Sequence, residues 1–253
     1  MAIELHNTED ARRRLRAAGR AAASTLYAAG AAVRPGLTTA QIDTLVRKDT
    51  AARGGRPTQL GYHGFPAAVC TSVNHVVCHG IPSPDVVLED GDIINIDCTT
   101  ELDGYCGDTS TMFFVGTPSP DAEHVVRVAK EALMIGIAQV RPGARLGDIG
   151  AAIQAFVERE GCSVVRDYGG HGIGRTMHEA PHVPHHGKAG RGLRLREGMV
   201  FTIEPMVNLG GADVRVLGDD WTVVTDDGSL SAQAEHTVYV GPDGAEILTL
   251  NKP

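Results

Sequence analysis

The chain of 253 residues is poor in aromatic side chains, which make up 4% of it, and holds one tryptophan, Trp221. Few rings are available to wall a pocket, so Trp221, Tyr62 and Phe65 stand out as candidates for that task. Cysteine is sparse too. Cys70, Cys78, Cys98, Cys106 and Cys162 form an odd set without a Cys-x-x-Cys pair, which excludes a disulfide framework or thiolate zinc site and leaves buried, reduced thiols as the expectation. No apolar run approaches the roughly 20 residues that span a bilayer. The start also lacks the basic-then-apolar order of a signal peptide, and a cytoplasmic, membrane-free protein is expected. Basic residues are in deficit, 23 Lys and Arg against 31 Asp and Glu for a net charge of -8, so nucleic acid is not the expected partner. Gly-x-Ser-x-Gly, the phosphate-binding Gly-Lys-Ser/Thr loop and Gly-x-Gly-x-x-Gly are all missing. Acyl-enzyme, nucleotide and dinucleotide chemistry thereby lose their usual support.

What is present reads as helices followed by strands, twice over. Thr8 as N-cap, acidic residues behind it and an Ala-rich stretch predict a helix over Thr8–Val33. Its arginines, Arg12, Arg13, Arg14, Arg16 and Arg20, read as a solvated face, because consecutive helical residues point in different directions. Further helices are announced by Thr38-Thr39, Ser119-Pro120 and Leu146-Gly147-Asp148 and closed by Gly54-Gly55, Pro142-Gly143 and Gly161. Ile93–Thr100 and Tyr105–Val115 around Asp103-Gly104 predict a tight hairpin. A second hairpin is expected from Trp221–Thr225, a turn at Asp226-Asp227-Gly228 and Ala234–Val240, with one more strand over Met199–Val207. Segregated helices and strands favour α+β over a doubly wound sheet.

The repetition is visible in the letters. Val33-Arg-Pro-Gly returns as Val140-Arg-Pro-Gly, and Glu89-Asp-Gly-Asp-Ile-Ile-Asn-Ile-Asp97 returns as Arg196-Glu-Gly-Met-Val-Phe-Thr-Ile-Glu204, both at an offset of 107 residues. Two matches at one offset predict an internal duplication, approximately 8–115 and 119–240, within one domain spanning 1–253, with pseudo-twofold halves around a shared site. In this register Asp97 is equivalent to Glu204.

A two-residue Asp103-Gly104 loop sets Asp97 opposite Ser110, which leaves Asp97 and Asp108 as diagonal neighbours on one face. Two such carboxylates repel unless a cation lies between them, although a solvent-facing acidic pair is the commoner outcome in hairpins. Glu204, in Phe201-Thr-Ile-Glu-Pro-Met, and Glu235, in Ala234-Glu-His, sit in apolar strands, where a carboxylate is costly unless paired or metal-bound. His171, in Gly169-Gly-His-Gly-Ile-Gly, adds an imidazole. Oxygen ligands with one nitrogen suit Mn, Fe, Co or Zn used for hydrolysis.

His178-Glu-Ala-Pro-His182 also satisfies the single-zinc protease formula, but that chemistry needs both imidazoles on one helix face, and Pro181 and Pro184 oppose a helix. His182, His185 and His186 read as exposed loop residues. His-x-x-Pro occurs twice, at His79 and His178, so that each half brings one imidazole toward the centre. Cys78 beside His79 reads as a buried structural thiol.

Val77-Cys-His-Gly-Ile-Pro, Gly91-Asp-Ile-Ile-Asn-Ile-Asp, Gly107-Asp-Thr-Ser, Gly170-His-Gly-Ile-Gly, Phe201-Thr-Ile-Glu-Pro-Met and Ser231-Ala-Gln-Ala-Glu-His-Thr together resemble the type I methionine aminopeptidases over nearly the whole chain. The resemblance implies the duplicated α+β "pita-bread" fold. It also implies two divalent metal ions (Co, Mn, Fe or Zn) held by Asp97, Asp108, His171, Glu204 and Glu235. Glu204 would relay the proton of an attacking water, His178 would contact the substrate carbonyl, and His79 the nitrogen of the bond being cut. Tyr62, Phe65, Cys70, Met177 and Trp221 would line the methionine pocket. The sequence departs from the family at Met177, where an aromatic is common, and at Gln59, where a smaller residue is common. Implied partners are nascent polypeptide N-termini, with transient ribosome association a family-level expectation and a monomer the default. The lack of a Cys-rich N-terminal extension points to the compact bacterial form, and Met1-Ala2 is itself a favourable cleavage context. Proline-specific peptidases of the same fold are the neighbouring alternative, and a non-enzymatic relative would be expected to lose ligands.

Overall fold

The computed structural model describes residues 3–251, so the Met1-Ala2 context lies outside the described residues. Helix α1 (Glu9–Gly30) starts where Thr8 Oγ1 accepts the Ala11 N–H at 3.2 Å. Its buried positions, Ala11, Leu15, Ala18, Ala22, Leu26 and Ala29, recur every three or four residues and form one apolar stripe. The basic residues fall outside that stripe: Arg13 and Arg14 pair with Asp10, and Arg16 pairs with Glu246. Helix α2 (Thr39–Ala52) opens on a reciprocal cap between Thr38 and Gln41. Helix α3 (Pro120–Ile137) is capped by Ser119 with Pro120 in its first turn, and in α4 (Leu146–Arg159) the Asp148 carboxylate accepts the Arg145 N–H.

Four antiparallel strands form the middle of a nine-stranded sheet: β1 (Ile93–Leu102), β2 (Tyr105–Phe114), β3 (Val200–Ile203) and β4 (Glu235–Val240). Their spatial order is β1-β2-β4-β3, so the two inner strands and the two outer ones are related as a twofold axis would relate them. Arg56–Pro57 and Cys70–Val73 pair with β1, and Gly170–Gly172 carries the sheet on from β3 to Glu179–Val183. Each helix pair covers one half. Leu26, Ile42 and Val46 pack with Ile94 and Ile96 of β1, whereas Val125, Ala129, Ile149 and Ile153 pack with Phe201, Ile203 and Val238. This is the α+β pita-bread arrangement, with helices on one face of the sheet and the opposite face free to carry a site.

The Asp103-Gly104 hairpin forms as expected, with Leu102 opposite Tyr105. Asp103 adopts φ 52° and Gly104 φ 78°, the left-handed pair that such a turn requires. Two expectations are corrected. The strand over Met199–Val207 is interrupted at Glu204-Pro205, since Pro205 has no N–H for a ladder, and resumes as Met206–Asn208 in a separate three-stranded sheet. Val223–Thr225 pairs with Val214–Val216 and Val76–Cys78 instead of forming a hairpin with β4, because Ser231–Gln233 intervenes and pairs with Met206–Asn208.

Helix α1 lies against β2 at two glycines: a Cβ on Gly107 would sit 2.5 Å from the Cα and N of Gly19. Gly107→Ala is therefore expected to lift the helix and cost about 1–3 kcal/mol, read from urea unfolding. An unchanged midpoint would contradict this contact.

Candidate metal centre and substrate pocket

The central strands each present one carboxylate to the same place. Ser110 of β2 is opposite Asp97 on one side and Glu235 on the other, so those two acids flank it in a row. Thr99 is opposite Asp108, which makes Asp108 the diagonal neighbour of Asp97. Glu204 follows the last paired residue of β3, Ile203, and His171 arrives on Gly170–Gly172. Glycines flank that histidine for steric reasons: a Cβ on Gly170 would lie 2.2 Å from the Thr202 carbonyl oxygen, and one on Gly172 as close to that of Ala180.

The ligand atoms converge. His171 Nε2 lies 3.6 Å from both Asp108 Oδ2 and Glu204 Oε1, and one ligand atom each of Asp108, His171 and Glu235 lie within 4.8 Å of one another. His171 Nδ1 is 3.0 Å from the Gly172 carbonyl oxygen, which fixes the tautomer and leaves the Nε2 lone pair facing the acids. Neighbouring residues orient the carboxylates: Thr99 Oγ1 donates to Asp108 at 2.7 Å, Thr202 Oγ1 to Glu204 Oε1 at 2.6 Å, and Gln233 Nε2 to Glu204 Oε2 at 3.1 Å.

Burial pushes Glu204 up to about 8, against the hydroxyl and amide donors that favour its charged form, and the Asp108 charge adds to the rise. Burial, then the charges of the other acids, raises Asp97 and Glu235 as well, and burial raises Asp108. Among the described residues no Lys or Arg lines the cavity that could relieve them. Glu235 Oε1 is buried without a hydrogen-bond partner among the described residues. An unpartnered oxygen, four acids and one oriented imidazole nitrogen fit hard or borderline divalent cations.

All five of these residues line one cavity of about 390 Å³, together with His79 and His178. Tyr62, Phe65, Cys70, Met177 and Trp221 line it too. The His171 and His178 rings are 4.0 Å apart, Tyr62 lies 5.0 Å from His178, and Trp221 stands edge-on to Phe65 at 5.1 Å. His79 sits at φ 57°, an uncommon conformation outside glycine, with Tyr168 edge-on at 5.7 Å. Cys78 is buried with its thiol pushed well up by desolvation, as a structural thiol should be. His178–His182 runs into a strand, so the two imidazoles of the single-zinc formula do not share a helix face.

Sequence reasoning missed several contributors. Thr99, Thr202 and Gln233 hold the acids, yet hydroxyls and amides in strands carry no distinguishing pattern. His63 lines the cavity as well. His185 corrects an expectation: it is fully buried, not an exposed loop residue, and its Nε2 accepts the Glu204 N–H at 3.1 Å. That N–H lies just past the last paired residue of β3 and needs another acceptor. Outside the cavity, Glu4, His6 and Glu179 also bring ligand-type atoms within 4.8 Å of one another, but Arg175 Nε is 3.5 Å from Glu4 and supplies positive charge there.

Residues 13–242 match the profile of Metallopeptidase family M24. The chain is 54% identical over 239 residues to methionine aminopeptidase A of Synechocystis sp., covering 94% of each chain. It is 49% identical over 253 residues to the methionine aminopeptidase of Escherichia coli K12, covering 100% of this chain and 96% of that one. The crystal structure of methionine aminopeptidase from Rickettsia prowazekii superposes with a TM-score of 0.96 at 50% identity, covering 98% of this chain and 100% of that one.

The electrostatics predict a pH dependence for metal-free protein. A carboxyl whose folded pKa is raised stabilises the fold below its unfolded value and loses that contribution as pH climbs through the folded value, for Glu204 from 4.5 to about 8. The buried His171, lowered to about 4, acts oppositely, but its effect is complete near its ordinary 6.5. The melting temperature of chelator-stripped protein should therefore fall between roughly pH 6.5 and 8. Divalent metal should restore it most at the upper end. A flat or rising metal-free profile in that window would contradict the burial of these acids.

Proposed function

Because the chain belongs to Metallopeptidase family M24, we propose that it is a methionine aminopeptidase, removing the N-terminal methionine from nascent proteins and peptides whose second residue is small. The observation that carries this reading is the convergence of the acids, His171, His79 and His178 in one cavity that Tyr62, Phe65, Cys70, Met177 and Trp221 also line. A long, flexible thioether suits such a wall, in which Met177 and Cys70 contribute sulfur of their own.

Asp97, Asp108, His171, Glu204 and Glu235 would hold two divalent ions, from among Co, Mn, Fe and Zn. When bound, such ions polarise a carbonyl and make water nucleophilic near neutral pH. The protein's own groups do the rest. Glu204 takes the proton of the attacking water and passes it to the departing amine, its two oxygens held by Thr202 and Gln233 so that it needs no reorientation. His178 donates to the substrate carbonyl oxygen as negative charge builds there. Its pKa is lowered, by desolvation first and then by His171, so it acts as a neutral imidazole. His79, lowered by burial, is likewise neutral and contacts the nitrogen of the bond being cut.

Such N-termini arise on chains leaving the ribosome, and we place the enzyme in the cytoplasm as a monomer that meets them there, with transient ribosome association. No helix among the described residues is long and apolar enough to cross a membrane.

Chelator-stripped protein should be silent, and after addition of Mn, Co, Fe(II) or Zn it should release methionine from Met-Ala-Ser but not from Met-Lys-Ser. Cleavage of Ala-Pro-Ala alone would move the chain to the proline-specific peptidases, and silence with every metal would reject an enzymatic role. Asp108→Asn should abolish turnover and keep the circular-dichroism spectrum. His79→Ala should lower kcat by about 100-fold or more while calorimetric metal affinity holds. Full activity in either variant would mean a misassigned residue.

A further inference from the structure

This inference deepens the reading above and concerns the same cavity. The edge of β1 has a gap. Arg56–Pro57 pairs with Glu101 and Thr100, Thr58 N–H donates to the Thr99 carbonyl oxygen at 3.1 Å, and Cys70–Val73 pairs with Asp97 through Ile94, which leaves the Thr99 N–H between them without a backbone partner. Gln59 fills it. Its Oε1 accepts the Thr99 N–H at 3.1 Å, and its Nε2 donates to the Asp97 carbonyl oxygen at 2.8 Å. One side-chain amide thus stands where a neighbouring strand would place a peptide group. Without it, the buried Thr99 N–H would lack a partner.

The same amide has a second engagement. Nε2 lies 3.3 Å from Asp97 Oδ1, so Gln59 reaches both the backbone and the carboxylate of one proposed metal ligand. A donor at that distance favours the charged carboxylate and limits its rotation. Gln59 is 5% exposed and lines the cavity alongside Cys70, and Thr58 Oγ1 lies 3.3 Å from Met177 Sδ. Residues 58 and 59 therefore touch the pocket wall and the metal centre together.

We infer that Gln59 is a positioning residue that couples the side-chain pocket to the metal centre, its amide closing the ladder and aiming the Asp97 carboxylate while the same side chain bounds the space a substrate side chain would occupy. A smaller residue here would widen the pocket and release Asp97 in one step. The opposing possibility is that Gln59 merely fills space.

Two variants separate these roles. Gln59→Met keeps the bulk and loses the amide; Gln59→Ala loses both. Isothermal titration with Mn(II) on full-length protein should show affinity weakened by about 10-fold or more in both, the scale expected when a partner of a metal ligand is removed. With metal saturating, Gln59→Met should keep KM for Met-Ala-Ser near the wild-type value. Gln59→Ala should also accept the one-methylene-longer ethionine peptide, improving its kcat/KM relative to methionine by about 10-fold. Metal affinity of Gln59→Met within twofold of wild type overturns the inference, and if Gln59→Ala fails to fold by circular dichroism, Gln59→Met alone decides. Wild-type protein that binds Mn(II) yet cleaves no peptide would reject the enzymatic reading and leave the calorimetric comparison standing.

Discussion

Four carboxylates held at one point repel one another in a cavity that no lysine or arginine among the described residues lines, and the rest of the structure is arranged around that repulsion. Left alone, buried acids protonate or draw in water and open the fold. Here the backbone prevents the second escape and leaves protonation, in line with the raised pKa values of these acids. Asp97, Asp108 and Glu235 hang from adjacent strands of one sheet, so they cannot separate without breaking ladder hydrogen bonds, and Glu204 is tethered through its N–H, Thr202 and Gln233. The fold stores an unfavourable charge arrangement that a divalent cation relieves. It therefore binds such a cation more strongly than the same residues would on a flexible chain.

The two halves matter because of that tether. A single helix-helix-strands unit offers one acid-bearing hairpin with an open edge, and its carboxylates could turn toward solvent. Setting β2 against β4 brings the acids of the second unit over the first and buries both sets. The helices remain on the far side: α1 lies directly against β1 and β2 and α3 against β3 and β4, with Ile42 and Val46 of α2 and Ile149 and Ile153 of α4 completing the apolar clusters. Large apolar residues behind each strand, with acids in front, give the sheet its stiffness where ligand atoms must hold position.

Much of this was legible in the letters. Asp103-Gly104 fixed the hairpin register, period-two alternation then put Asp97 and Asp108 on one face, and the 107-residue offset brought Glu204 into equivalence with Asp97. Glycines announced His171, because only a residue without Cβ lets that segment pass so near Thr202 and Ala180. Other features were not legible, for physical reasons. His185 lies in a run of histidines and prolines that reads as exposed, and only the end of the β3 ladder creates a demand for its nitrogen. The hairpin expected from Trp221 to Val240 failed because pairing in that region is decided by distant segments, Val76–Cys78 and Met206–Asn208, which no local pattern reveals. Gln59 was visible as an unusual residue, whereas its task depends on a gap between two strand partners of β1.

The central claim is that these acids and His171 form one cation-binding centre. The most direct measurement is the anomalous difference density of crystals grown with Mn(II). The expected result is two peaks enclosed by Asp97, Asp108, His171, Glu204 and Glu235. Density confined to Glu4, His6 and Glu179, or absent from the cavity at saturating metal, would contradict it.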